Sequence, residues 1–111
     1  MGERINYVFD DGSESLTVLY SHWGATDWED DLIGALEHAQ PRHRDYSYFT
    51  RMIISHLIQK DILSETGFGI YSISRSELSD LSDTVIVLNL VSDRIHLPTG
   101  LTVPFYGKVM A

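Results

Sequence analysis

The chain opens on an alternation of apolar and polar positions. In Ile5-Asn6-Tyr7-Val8-Phe9, the residues Ile5, Tyr7 and Phe9 fall on one side, as a strand packed on a core requires. Leu16-Thr17-Val18-Leu19-Tyr20 alternates again, and Asp10-Asp11-Gly12-Ser13 between them is a cluster of turn formers. The spacing predicts a β-hairpin. The period then changes. Trp28, Leu32, Ala35, Leu36 and Ala39 recur at helical intervals. A helix is expected from a Thr26–Glu29 capping box to about Gln40, with Pro41 ending it. A second helix is expected from about Tyr46 to Lys60, begun by Asp45 or Ser47. Its stripe is Phe49, Met52, Ile53, His56 and Leu57, widened by Ile54 and Ile58. The short connection between the two implies an αα-hairpin.

The second half returns to strands. Phe68-Gly69-Ile70-Tyr71-Ser72-Ile73 reads as one, and the polar stretch from Arg75 to Asp83 reads as a loop. Thr84 to Val91 is apolar on both faces and is expected at the centre of the sheet. Ser92-Asp93 turns the chain into Arg94-Ile95-His96-Leu97, and Pro98-Thr99-Gly100 turns it once more. Leu101 to Val109 alternates but contains Pro104 and Gly107, which suits an edge strand or a swapped arm. The expected fold is α+β in the order ββ-αα-βββ. It is a two-layer sandwich: an antiparallel sheet of about five strands with the helix pair on one face. One sheet face would then be open. The doubly apolar strand would need a second cover, either the C-terminal segment or a second subunit, so a homodimer is expected.

Length and composition narrow the class. The 111 residues suffice for a single domain spanning 1–111. No window is apolar enough to cross a membrane. The N-terminus lacks a secretory pattern, and there are no cysteines. Disulfide scaffolds and thiolate chemistry are excluded, and a cytoplasmic setting is expected. Acidic residues outnumber basic ones 16 to 8, for a formal charge of −8. That argues against direct contact with a nucleic-acid backbone. The charge is also localised. Residues 1–40 hold nine acids and a single base, Arg4, and so carry all of it; the remainder is neutral.

Three groups of residues invite a chemical reading. Ser21-His22 with His56 would supply a serine nucleophile with a histidine base, or two histidines of a metal site. No Gly-x-Ser-x-Gly elbow and no His-Glu-x-x-His spacing supports it. The plainer reading puts His22 at a strand-to-helix corner and His56 on a helix's apolar face. Asp27, Glu29, Asp30 and Asp31, with Glu37 beyond them, form an acidic helix. The helix dipole favours acids in the first turn and so accounts for Glu29 and Asp27 better than for Asp30, Asp31 and Glu37. Arg42, His43, Arg44 and Arg51 form a basic cluster; it could meet an acidic partner, but the favoured reading is that Arg42 and Arg44 neutralise the neighbouring helix end and the acidic face. Asp10-Asp11-Gly12-Ser13-Glu14 lacks the ligand alternation of a calcium loop, and Gly67-Phe68-Gly69 is not a dinucleotide fingerprint. No cofactor is expected.

Leu19-Tyr20-Ser21-His22-Trp23-Gly24 and Asp45-Tyr46-Ser47-Tyr48-Phe49-Thr50-Arg51-Met52-Ile53-Ile54, followed by Glu65-Thr66-Gly67-Phe68-Gly69-Ile70, resemble short proteins of phages, prophages and some bacterial and archaeal genomes. The resemblance covers about residues 15–95 and carries over no functional residue. The leading expectation is a non-enzymatic interaction protein. Its acids Asp27, Glu29, Asp30, Asp31 and Glu37 would engage a basic protein surface, such as the nucleic-acid site of a host protein occupied by mimicry, as a phage accessory protein or inhibitor would do. A small hydrolase or metal-dependent enzyme built on Ser21, His22 and His56 is the alternative, and a dimerisation module is the third.

Overall fold

The first hairpin forms where the alternation places it. In the computed structural model, which describes residues 4–22, 28–81 and 84–106, β1 spans Ile5–Asp10 and β2 spans Ser15–Ser21. Their register runs from Ile5 opposite Ser21 to Phe9 opposite Thr17. Helix α1 is Trp28–Ala39 and helix α2 is Tyr46–Ile58. The remaining strands are β3 (Phe68–Ser74), β4 (Thr84–Asn89), β5 (Arg94–His96) and β6 (Thr102–Pro104). The strand order is β3-β2-β1-β4-β5-β6.

The fold is therefore α+β, but the sheet has six strands and is mixed. β4 does not pair with β3, the strand before it. It lies parallel against β1, Ile5 opposite Thr84 through Asp10 opposite Asn89, while the other pairings are antiparallel. The physical reason lies in burial. β1 is buried along all six residues, so it needs a neighbour on each side. β4, with Ile86 and Leu88 fully buried, provides one. The chain must then cross the sheet between β3 and β4.

That crossing supplies the cover that the second face lacked. Arg75–Asp80 forms a 3₁₀ segment rather than an open loop. It is started by a capping box in which the Glu77 carboxylate accepts from the Ser74 N–H at 2.8 Å. Leu78 and Leu81 pack with Val8, Leu16, Val18, Val85 and Val87 in a small second core. So this chain's own crossover shields the face for which the C-terminal segment or a second subunit was expected. Arg75 anchors its start: its guanidinium donates to both Asp10 oxygens, at 2.9 and 2.7 Å, and to the Ser13 carbonyl at 2.6 Å. Asn6, also buried on β1, accepts from the Tyr71 hydroxyl at 3.0 Å.

The main core lies on the other face. Ile5, Tyr7, Phe9, Leu19, Ile86 and Leu88 meet Leu32, Leu36, Phe49 and Ile53 from the helices. The α1 stripe is buried as its spacing requires at Leu32, Ala35, Leu36 and Ala39. α1 ends at Ala39, just ahead of Pro41 as expected; Gln40–Arg42 then tightens into a 3₁₀ turn that holds Pro41 in its first positions, where its missing N–H costs nothing. One local expectation is corrected. Asp45 does occupy the α2 N-cap, but its side chain makes no cap bond and instead accepts from the Ser47 hydroxyl at 3.4 Å. The expected Thr26–Glu29 capping box involves a residue outside the described ones.

Candidate functional site

β5 and β6 extend the sheet past the two helices' core. Between them and α1 a concave gap is left. Its α1 wall is Trp28, Leu32, Ile33 and Leu36, with Glu29 and Glu37 at the rim. Its sheet wall is Ile95, Leu97, Val103, Pro104, Phe105 and Tyr106. The gap has a volume of about 790 Å³. That is the range of a cavity that seats a drug-sized molecule or the anchoring side chains of a peptide. Its walls are fixed. Phe105 stacks on the buried Phe49 with ring centroids 5.7 Å apart and planes at 22°, and its N–H donates to the Asp93 carbonyl at 2.8 Å. Tyr106 crosses to α1 and donates its hydroxyl to the Leu36 carbonyl at 3.2 Å. Burial first, and then the Asp93 carboxylate, push the Tyr106 hydroxyl up to about 12.

The acidic expectation maps onto this gap in part. Glu29, Asp30, Asp31 and Glu37 are all exposed on α1, and Glu29 and Glu37 line the groove. The described ion pairs are Arg42–Asp45, Arg44–Asp93 and Arg75–Asp10; none neutralises an α1 acid. Asp27 lies outside the described residues. The field of Asp31 reaches inward: after burial itself, it is what raises the buried Tyr7 hydroxyl above its ordinary range.

The basic cluster is engaged elsewhere than expected. Arg44 pairs with Asp93 at 3.1 Å. Arg42 lies 3.8 Å from Asp45 and stacks over the Tyr48 ring at 4.9 Å. Arg51 reaches Ser55. Only His43 serves the preceding helix end, its Nδ1 lying 3.1 Å from the Gln40 carbonyl. Among the described residues, no base pairs with the α1 acids.

Ser21 and His22 stand together at the end of β2, and His56 stands on α2. Ser21 is buried at the end of β2, paired with Ile5 and Phe68. His22 follows it, donating its N–H to the Gly67 carbonyl at 2.8 Å, with its Nδ1 3.3 Å from the Tyr20 hydroxyl. His56 lies half-buried at the α1–α2 crossing, its ring 5.7 Å from that of His38. Gly34 makes room for it: a Cβ there would come within 3.0 Å of His56 Nε2. Among the described residues, no group of three or more His, Asp or Glu side chains is placed to hold a metal ion. No described helix is long and apolar enough to cross a membrane.

The groove's sheet wall went unassigned in the sequence. The alternation at Leu101 to Tyr106 and the Phe105-Tyr106 pair carry the signal, but only the sheet order shows that they face α1. Comparisons with known protein families, characterised proteins and solved structures find no match for this chain. The class is thus defined by fold and site alone: an α+β domain with an acid-rimmed apolar groove.

Proposed function

We propose that this is a non-enzymatic interaction protein that binds a basic partner surface through α1 and the groove beside it. The observation that carries this reading is the juxtaposition of exposed acids, unpaired with any described basic residue, with an apolar groove. Glu29 and Glu37 rim a gap floored by Leu32, Leu36, Ile95 and Phe105. Such a site suits a segment that buries apolar anchors and flanks them with Lys or Arg, as an amphipathic basic helix does. The apolar floor supplies affinity. The acids Glu29, Asp30, Asp31 and Glu37 steer the encounter and select against acidic competitors. Nucleic-acid-binding proteins present basic surfaces of this kind, so occupation of such a surface by mimicry is the concrete form we favour.

The test uses a labelled amphipathic peptide of alternating Leu and Lys at helical spacing, followed by fluorescence anisotropy. Binding is expected to weaken with added salt, because exposed charges are screened within about 10 Å at 0.1 M. The double variant Glu29→Lys, Glu37→Lys should lose tenfold or more in affinity. Equal binding by wild type and variant would reject the proposal.

A further inference from the structure

The two edges of the sheet are treated differently. β6 is three residues long and contains Pro104, both of which discourage further strand pairing. β3 is the opposite edge. It is seven residues long and pairs with β2 at every position without a bulge. It contains no charge and no proline. Over residues 62–74 the only charged side chain is Glu65. Ile62, Leu63 and Ile70 in this run are 59%, 96% and 61% exposed. Among the described residues, none of the usual devices that protect an edge strand lies along β3.

We propose that β3 pairs antiparallel with β3 of a second copy of this chain, forming a two-fold dimer with one continuous sheet. Two identical edges in antiparallel register are self-complementary, and the pairing closes because it consumes both. Charge favours a second copy at this edge. The whole formal charge of −8 lies in residues 1–40, and its helical part, α1, borders the groove formed with β5 and β6 at the other end of the sheet. Two copies meeting at β3 keep those helices apart, whereas a meeting at α1 would bring them together. The area suits a weak, concentration-dependent pair. The three apolar side chains expose on the order of 400 Å² per copy, or about 800 Å² for the pair, so even with a seven-residue ladder the interface falls near or below the roughly 1,200 Å² that separates transient pairs from stable ones. The proposal is independent of the groove and leaves it open.

Sedimentation velocity on the full chain, from about 1 to about 200 μM, tests it. The expected result is a concentration-dependent dimer. Ile70→Lys should raise its dissociation constant at least tenfold. Leu101→Lys, at a residue 65% exposed beside β6, should leave it unchanged. Circular dichroism checks that both variants fold. Hydrogen exchange on the wild type gives a readout free of mutation: β3 amides should lose protection on dilution. A chain that stays monomeric throughout would overturn the proposal, including one whose β3 binds an extended foreign peptide instead. So would a dimer indifferent to Ile70→Lys, or β3 protection unchanged by dilution.

Discussion

Asp10 carries several jobs in one side chain. It ends β1, accepts from the Gly12 N–H at 2.9 Å to form the hairpin turn, and takes both arms of Arg75. The Arg75 hydrogen bond holds its carboxyl below the usual carboxylate range. A depressed folded-state pKa means stability that is present above the unfolded value, about 3.9, and lost as pH falls through the folded one. Stability is therefore expected to drop in acid below about pH 4, and Asp10→Asn should flatten that drop. At neutral pH the same substitution should cost about 1.5–3 kcal/mol, the range for a hydrogen bond to a charged group; urea unfolding at pH 7 and pH 3 measures both. A second residue-scale prediction concerns Gly34. Alanine in a helix interior gains about 1 kcal/mol over glycine, but here its Cβ would press on His56. Gly34→Ala should therefore stabilise the chain more in a His56→Ala background than in the wild type. Additive effects in a double-mutant cycle would show that the contact is unimportant.

Among the elements, those with a strong period were legible in the sequence, and those made by tertiary pairing were not. The hairpin, both helices and the interior position of β4 follow from alternation, the 3.6-residue stripe and double-sided apolarity. The parallel union of β1 with β4 does not, because residue spacing fixes which face a side chain takes but not which strand lies alongside. The crossover is an intermediate case. Ser74 and Glu77 stand at capping-box spacing, and Leu78 and Leu81 follow at helical spacing, yet the surrounding polarity reads as loop. Their role is visible only once they lie over Val8, Leu16 and Val18. If the crossover seals that face, Leu78→Asp should open it. The variant should bind more of a hydrophobic dye than wild type and unfold earlier. Leu78 is half-buried, so Leu78→Ala should cost about 1–2 kcal/mol, less than the roughly 2–5 kcal/mol of a fully buried leucine.

The whole molecule separates its surfaces by chemistry. Acids gather on α1 beside an apolar groove at the β5–β6 end, and an uncharged strand edge lies at the β3 end. The location of the charge was readable from the sequence; the groove that gives it an apolar neighbour was not, because its far wall comes from residues about sixty to seventy positions away. The central claim is that α1 and this wall together form one binding surface. Methyl NMR of the chain titrated with the amphipathic Leu/Lys peptide tests it most directly. Signals of Leu32, Ile33, Leu97 and Val103 should shift together and saturably, while Val8, Leu16 and Val18 on the opposite face stay fixed. A peptide of the same composition without an apolar face should shift none of them. Shifts scattered over the surface, or equal responses to both peptides, would contradict the claim.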